Sequence, residues 1–247
     1  MDGGRMKSFV LPSKDIWKNW KLPMVEIFET VEGEGLQAGY PTVFVRVFHC
    51  NLRCTWCDTT YSYAPAKPEF EATIDEIIST INSFRSSRIC FTGGEPLIHR
   101  EKSAALLMAM ADLDHIVDIH IETNGAIDLE PFENLRNSHP ELQRKMRFVM
   151  DYKLPASGEM DKMNLENFKE LQNQDEIKFV IGSEEDFEIT QQVVENHYRK
   201  GQICVSPVWE SMPPRRLVEL LLESHLPNAK LSLQLHKVIW HPEERGV

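Results

Sequence analysis

The sequence predicts an α/β fold with a largely parallel sheet, and three observations lead to this class. From residue 73 onward, short β-rich runs alternate with runs whose apolar residues recur at helical spacing. Polar clusters close these β-rich runs, and in parallel α/β sheets functional groups collect beyond the carboxyl ends of the strands. The 42% apolar fraction is sufficient for a large core, and 247 residues suit a single α/β unit.

The individual elements follow from local patterns. Met24 to Thr30 alternates in polarity as a strand does, and Thr42 to Phe48 is a second β-rich run. Thr73 is a suitable cap for a helix whose isoleucines recur from Ile74 to Ile81. Further strands are predicted at 88–91, 116–121, 146–150, 177–181, 203–206 and 231–235, and further helices at 102–111, 164–171, 184–198 and 215–224.

The chain is expected to hold a peripheral N-terminal extension, residues 1–23, and one domain, residues 24–247. The extension carries Trp17 and Trp20 among lysines with no clear period. The remainder contains no repeat, low-complexity segment or linker long enough to divide it. We therefore expect one catalytic or binding unit.

Charge and cysteine content exclude several classes of protein. A net charge of −11 argues against nonspecific binding to nucleic acid or anionic membranes, because both need positive surface. No apolar run approaches a membrane span, and Met1 to Gly4 open no secretory signal. Five cysteines, three of them clustered, do not form a disulfide framework and indicate the reducing cytoplasm, with Cys90 and Cys204 predicted to be buried.

Three of the five cysteines, Cys50, Cys54 and Cys57, fall within eight residues after the second predicted strand. Thiolates this close together are costly unless a metal shares their charge. Three cysteines on an iron–sulfur cube leave one iron open, which favours chemistry over scaffolding. A metal centre with an open position is therefore favoured, and a structural zinc site or reduced, uncoordinated thiols are the alternatives. His49 is disfavoured as a fourth ligand, since adjacent residues rarely aim at one metal.

The Cys-x3-Cys-x2-Cys spacing, with Trp56 before the last cysteine, resembles the signature of the radical S-adenosylmethionine (SAM) enzymes. Thr92-Gly93-Gly94-Glu95-Pro96 and Glu122-Thr123-Asn124-Gly125 follow in that family's order. Within these enzymes the chain is similar to the 7-carboxy-7-deazaguanine synthases from about Met24 to Val247. This similarity is carried by Glu32-Gly33-Glu34-Gly35, Phe44-Val45-Arg46, Cys50 to Thr59 and Leu233-Gln234-Leu235-His236-Lys237.

The resemblance implies a partial (β/α)6-type radical SAM barrel with parallel strands, an extra N-terminal segment and a C-terminal tail that closes the site. It implies a lyase of queuosine biosynthesis that contracts 6-carboxy-5,6,7,8-tetrahydropterin to 7-carboxy-7-deazaguanine with loss of ammonia. A 4Fe–4S cluster binds SAM, which supplies the 5′-deoxyadenosyl radical and is regenerated, and Mg2+ assists. A reductant such as flavodoxin or ferredoxin and a homodimeric state are also implied.

The resemblance also assigns expected roles to residues. Cys50, Cys54 and Cys57 would hold the cluster and Thr59 the Mg2+. The expected SAM-binding residues are Trp56, Asp58, Gly93, Gly94, Glu95, Thr123, Asp151, Lys153 and Ser206. The expected substrate-binding residues are Glu32, Gly33, Glu34, Arg46, Thr92, His236 and Val247. No side chain is assigned a certain catalytic role, because the cofactor supplies the radical chemistry.

Several of these roles have specific physical content. Gly93 and Gly94 would let the backbone approach SAM, and Glu95 would accept from its ammonium group. Arg46 would clamp the substrate carboxylate, the alternative being a solvent-facing position on an alternating strand. His236, expected in the last strand, and the carboxylate of Val247 would close over the substrate.

Two alternatives to this function stay open at the level of sequence. Asp151-x-Lys153 is similar to a motif of the glycyl-radical activating enzymes, which are also radical SAM proteins. The Glu32 to Gly35 loop, Arg46 and the C-terminal motif argue against that activity, since an activase needs a protein-docking groove. A noncatalytic zinc-binding module is the alternative from a different class.

Overall fold

The computed structural model describes residues 8–226, 228–242 and 244–247. Residues 1–7 of the predicted N-terminal extension lie outside the described residues. In the described part of the chain, no helix is long and apolar enough to cross a membrane.

The described strands form one open sheet in the order β3-β1-β2-β4-β5-β6-β7-β8-β9. β1 pairs antiparallel with β2 and with β3, whereas β2 and β4 to β9 run parallel. Because β3 and β9 are edges, the sheet is a partial barrel and is not closed. The strands are β1 (Lys21–Val31), β2 (Pro41–Val47), β3 (Phe70–Thr73), β4 (Arg88–Gly93), β5 (Asp118–Thr123), β6 (Met146–Tyr152), β7 (Glu176–Ile181), β8 (Gln202–Pro207) and β9 (Lys230–Leu231).

Crossover helices connect the parallel strands, as the alternation in the sequence predicts. The helices are α1 (Lys14–Trp17), α2 (Ile74–Ile81), α3 (Glu101–Ala111), α4 (Glu130–Ser138), α5 (Pro140–Lys145), α6 (Asn167–Glu170), α7 (Glu184–His197), α8 (Pro214–Glu223) and α9 (Leu235–Ile239). α2 begins with the expected cap: the Thr73 side chain accepts from the amide of Glu76, and the Glu76 carboxylate accepts from the amide of Thr73. Its buried Ile74, Ile77 and Ile81 join the core.

The N-terminal boundary differs from the predicted one. The indole of Trp17 is 4% exposed and belongs to the core, and β1 begins at Lys21 rather than Met24. The predicted boundary after residue 23 therefore falls inside β1. Burial of the Trp17 side chain offsets the entropic cost of ordering the segment that precedes this strand. A separate, peripheral role stays a prediction for residues 1–7 alone.

The C-terminal prediction is wrong in one respect. The last strand is only Lys230–Leu231; residues 232–234 are irregular and α9 begins at Leu235, so His236 lies on a helix and not on a strand. The reason is a tertiary contact: the amide of Leu235 donates to the carbonyl of Gly33 at 3.0 Å, which turns the chain back over the loop after β1. Local β propensity cannot foresee that bond.

Smaller differences concern elements with weak local signals. β3, α4 and α5 were not predicted, and the predicted helix at 164–171 shortens to Asn167–Glu170. The Asn167 side chain explains the shortening, because its amide donates to the carbonyls of Gly125 and Ile127 and its oxygen accepts from Leu129. The Asn167 side chain thus bonds to the segment after β5, and the residues just before it form a turn rather than a helix.

Candidate active site

A cavity opens at the carboxyl ends of the parallel strands, where the topology predicts a site. All of the predicted site residues except Glu95 and Ser206 line it. These are Glu32, Gly33, Glu34, Arg46, Cys50, Cys54, Trp56, Cys57, Asp58, Thr59, Thr92, Gly93, Gly94, Thr123, Asp151, Lys153, His236 and Val247. Motifs that are distant in sequence therefore meet at one place.

The cysteine loop is held in position from two sides. The amide of Thr55 donates to the carbonyl of Ser157 at 3.0 Å, and its hydroxyl donates to Ala156 at 2.6 Å. On the other side, the amide of Glu95 donates to the carbonyl of His49 at 2.7 Å. The loop is thus fixed between the segments that follow β4 and β6, which aims the thiols into the cavity.

Close packing, and not only approach to a ligand, explains the Gly93-Gly94 pair. A Cβ on Gly94 would lie 2.2 Å from the carbonyl oxygen of His49 and 2.8 Å from the Cβ of Cys50. A Cβ on Gly93, which has φ +145, would lie 2.2 Å from the carbonyl oxygen of Val47. Only glycine lets the end of β4 touch the start of the cysteine loop.

Glu95 does not line the cavity, in contrast to the prediction that it contacts SAM. Its side chain is fully buried, and its oxygens accept from the amides of Leu97 and Asn124 and from the hydroxyl of Thr123. Burial raises its pKa to about 7 in spite of these bonds. Glu95 therefore joins the loop after β4 to the end of β5, a role that a short motif could not reveal.

Ser206 is the second exception. It is fully buried in β8, outside the cavity lining, and its hydroxyl oxygen has no hydrogen-bond partner among the described residues. The sequence placed it correctly at the end of a strand. Which side of the sheet the hydroxyl faces was decided by the tertiary structure.

The cysteine thiols suit a metal cluster. They are free, partly exposed and directed at the cavity, and burial raises the pKa of Cys50 and raises that of Cys54 to about 11. A neutral thiol is a poor ligand, so the thiolate form needs compensation of the kind that iron provides. The amide of Asn124, 3.7 Å from the Cys50 sulfur, is a donor oriented toward that thiolate.

Polar atoms without partners mark a place for a ligand beside the cysteines. Among the described residues, the indole nitrogen of Trp56 and one carboxylate oxygen of Asp151 are buried and make no hydrogen bond. Lys153 lies between them, with its ammonium 2.8 Å from the other Asp151 oxygen and 4.8 Å from the Trp56 ring centroid. Buried polar groups are normally paired, so this wall is suited to a polar ligand such as SAM.

Lys178 is a cavity residue that the sequence interpretation missed. Its buried ammonium lies 3.0 Å from Glu122, 3.2 Å from Glu34 and 3.8 Å from Asp151, joining the two walls of the cavity. A lysine within the otherwise apolar residues 177–181 of β7 was the available signal.

These contacts shift the pKa values of two carboxylic acids in opposite directions. Burial by itself would raise the pKa of Glu34, but Lys178, His236 and Gln234 together lower it to about 2. For Glu122, burial prevails over the attraction of Lys178, and the nearby Glu34 adds to it, so its pKa rises to about 7. The cavity thus holds a permanent carboxylate beside a group that can donate or accept a proton near neutral pH.

Arg46 faces the cavity and not solvent. Its side chain is 13% exposed, and its Nε donates to Glu26 at 2.8 Å, which is the only hydrogen bond of the guanidinium among the described residues. Tyr61 donates to the same Glu26 oxygen at 3.4 Å. Glu26 and Tyr61 were not predicted; they orient a guanidinium that can bind a carboxylate in a bidentate manner.

The C-terminal segment, from Gln234 onward, covers the open side of the cavity. Gln234 donates to Glu34 at 2.9 Å, and Lys237 pairs with Asp58 at 3.3 Å. Further along, the guanidinium of Arg245 lies 3.7 Å from the ring centroid of Tyr61. His236 and Val247 both line the cavity, as predicted, even though His236 arrives on a helix.

Thr59 is at the cavity edge beside the cysteines, with its hydroxyl 3.7 Å from the Cys57 sulfur. A hydroxyl oxygen suits Mg2+, which keeps several waters and takes few protein ligands. The acids on this side of the cavity include Asp58, whose side chain is 45% exposed. The donor set therefore fits a Mg2+ ion whose shell is completed by water and substrate.

Comparison with known proteins identifies first the class and then the family. Residues 45–144, which include the cysteine loop and Thr92 to Asn124, match the Radical SAM superfamily. The solved structure of QueE from Escherichia coli has a TM-score of 0.68, with 20% identity, over 91% of this chain and 99% of that one. The predicted radical SAM fold is therefore confirmed, in its open form.

The family follows from curated relatives of nearly full length. The 7-carboxy-7-deazaguanine synthase of Clostridium acetobutylicum is 36% identical over 231 residues, covering 93% of this chain and 100% of the relative. That of Leptospira interrogans is 35% identical over 252 residues, covering 93% and 99%. The chain belongs to the 7-carboxy-7-deazaguanine synthase family of radical SAM enzymes, and its cofactors are a 4Fe–4S cluster, SAM and Mg2+.

Proposed function

We propose that the chain converts 6-carboxy-5,6,7,8-tetrahydropterin into 7-carboxy-7-deazaguanine with loss of ammonia. The observation that carries this proposal is a cavity with two different walls. One wall offers thiols, Trp56, Asp151 and Lys153, and the other offers Arg46 and acidic groups. Such a pair of walls suits a cofactor on one side and a small acid with several N–H donors on the other.

The bound cluster and SAM supply the radical that starts the reaction, and Mg2+ supplies positive charge near the substrate. Arg46 binds the substrate carboxylate, with Glu26 fixing the orientation of the guanidinium. Glu34 stays ionised and accepts from substrate N–H groups. Glu122, with a pKa of about 7, exchanges a proton with the substrate nitrogen that leaves, held in place by Lys178.

In this proposal the catalytic domain extends to residue 247 and includes Trp17 and all of β1, because both belong to the same core and sheet. Cys50, Cys54 and Cys57 hold the cluster, and Thr59 binds Mg2+. The Asp151–Lys153 pair, 2.8 Å apart, binds the polar edge of SAM together with Trp56. A flavodoxin-type or ferredoxin-type reductant, a homodimeric state and a cytoplasmic location complete the proposal, the last supported by the free state of all five cysteines.

Anaerobic reconstitution with iron and sulfide, followed by an assay with carboxytetrahydropterin, SAM, Mg2+ and dithionite, tests this function. The expected result is 7-carboxy-7-deazaguanine and ammonia, with each SAM molecule supporting many turnovers. A variant with Cys54→Ala should give neither product nor SAM cleavage. A brown protein that cleaves SAM but leaves the pterin unchanged would contradict the proposed substrate, and a colourless zinc protein would contradict the proposed chemistry.

Replacement of Thr59 by alanine tests the Mg2+ role separately. Turnover should fall and should no longer increase with added Mg2+, whereas SAM cleavage without substrate should be unchanged. Full turnover of the variant at every Mg2+ concentration would show that Thr59 is not a ligand.

A further inference from the structure

A buried chain of alternating charges runs behind the wall that carries Glu32. One oxygen of Glu32 lies 2.6 Å from Nε2 of His120, and Nδ1 of His120 lies 2.9 Å from Asp118. Asp118 accepts from Nε of Arg147 at 2.7 Å, and Arg147 also pairs with Glu176. His120 and Arg147 are register partners on β5 and β6, so the chain crosses the sheet from strand to strand.

Glu176, the last residue of this network of ion pairs, contacts the same loop after β1 that carries Glu32. A Glu176 oxygen accepts from the amide of Leu36 at 2.9 Å, and a Cβ on Gly35 would lie 2.4 Å from the same oxygen. At the near end, the other oxygen of Glu32 accepts from the amides of Gly33 and Glu34 at 3.0 and 3.2 Å. This network of ion pairs therefore contacts the loop after β1 at Glu32 and again at Leu36, on either side of Glu34.

His120 can donate to both carboxylates only as an imidazolium, because a neutral ring has a single N–H. The groups that face it are Glu32, Asp118 and the thiol of Cys90, with Glu122 nearby. Burial alone would lower the pKa of His120, but these partners raise it well above its usual value. The ring is 1% exposed, so water cannot replace either bond.

The same residues include a set of possible metal ligands, since atoms of Glu32, Cys90 and His120 lie within 4.8 Å of one another. The contact of 2.6 Å between Glu32 and His120 argues against an ion. Two ligands bound to zinc at about 2 Å each in tetrahedral geometry would be more than 3 Å apart. The distance is that of a charge-assisted hydrogen bond.

We propose that His120, backed by Asp118, is a positioning residue that sets the affinity of the site for the pterin substrate. It acts through Glu32 and through the loop that carries Glu34, and it touches neither the cluster nor the SAM wall. This inference rests on the proposed function, because it names the substrate that the loop receives. It assigns to one side of the cavity a support that the other side does not share.

The test compares His120→Gln and Asp118→Asn with His115→Gln, a change at an exposed histidine of the same segment. In the reconstituted holoenzyme, the KM for carboxytetrahydropterin should rise about 10-fold to 100-fold in the first two variants, as expected for lost bonds to charged groups. The rate of SAM cleavage without substrate should be unchanged. His115→Gln should behave as the unaltered protein in both assays.

Binding of 6-carboxypterin, an oxidised analogue, is a readout that does not need turnover. Its dissociation constant should rise by the same factor in His120→Gln and Asp118→Asn, as measured by quenching of its fluorescence. Combination of Glu32→Gln with His120→Gln should cost less than the sum of the single changes, because two amides can pair with each other. Additive effects would mean that His120 does not act through Glu32.

Nitrogen-15 NMR of histidine-labelled protein gives an independent answer on charge. Both nitrogens of His120 should carry protons at neutral pH; a neutral ring would overturn the inference. Equal losses of SAM cleavage and of pterin affinity in His120→Gln would also overturn it. A third contrary result would be one zinc ion per chain retained by the triple variant Cys50→Ala, Cys54→Ala, Cys57→Ala and lost when Cys90→Ser is added. Failure of the unaltered enzyme to convert carboxytetrahydropterin would refute the proposed function alone. The NMR and analogue-binding measurements do not need turnover, so they would still test the charge of His120 and its effect on affinity.

Discussion

Lys178→Met should destabilise the protein by an amount that grows with pH. The ammonium it removes is the shared partner of Glu34, Glu122 and Asp151 at 3.0 to 3.8 Å, in a part of the cavity where its own side chain is 9% exposed. Removal of one partner of a buried ionic group typically costs about 3 to 5 kcal/mol, because the remaining charges are left without compensation. The structure allows that figure to be divided among the carboxylates.

Glu34 supplies the larger part at moderate pH. Its folded pKa of about 2 lies below the unfolded value of 4.5, so it contributes stability that is complete above pH 4.5 and is lost as the pH falls toward 2. The difference of roughly 2.5 units corresponds to about 3 kcal/mol. Since Lys178 is the principal cation responsible, most of this stability should disappear in the variant at pH 6.

Glu122 makes the loss depend on pH. Its folded pKa of about 7 already exceeds 4.5, so ionisation destabilises the fold as the pH rises from 4.5 to 7. Without Lys178 this pKa should rise further, and the variant should then lose up to about 1.4 kcal/mol of additional stability per pH unit above pH 7. Urea unfolding of cluster-free protein at pH 6.0 and 8.5 measures both effects.

Two control variants separate charge from packing. Lys178→Arg keeps the cation and should lose much less stability than Lys178→Met. Lys169→Met removes an exposed pair with Glu166 and should have little effect at either pH, as surface pairs contribute little. If Lys178→Met were equally destabilised at pH 6.0 and 8.5, or lost less than about 1 kcal/mol, the described coupling of buried charges would be incorrect.

Two further predictions follow from the geometry of the site. Gly94→Ala should prevent loading of a stable cluster, because the added Cβ would lie 2.2 Å from the carbonyl oxygen of His49 and displace the cysteine loop. The measurement is iron content per chain. A normal iron content would show that the loop can move aside. Arg46→Lys should raise the KM for carboxytetrahydropterin about 10-fold, because lysine cannot form the bidentate bond to the carboxylate. SAM cleavage without substrate should be unchanged. Equal KM values in the two proteins would show that Arg46 does not bind the substrate.

The sequence by itself determined most of the fold and the composition of the cavity. Alternating β-rich and helical runs predicted the parallel strands within a few residues, because each run carries its own hydrophobic period. The cysteine spacing predicted the metal centre, since three thiolates within eight residues can reach one metal cluster that shares their charge. Motifs at strand ends predicted lining residues, because parallel strands bring their carboxyl ends to one edge.

Only the tertiary structure decided which side chains use their charge inside the protein and which offer it to a ligand. Glu95, expected to bind the cofactor, is consumed by bonds to Thr123 and two amides, and His236 reaches the cavity on a helix. Lys178 and His120, hidden in strands by their apolar neighbours, hold the carboxylates in place. Such pairings join residues far apart in the chain, and their free energy depends on burial and distance, which no local pattern contains.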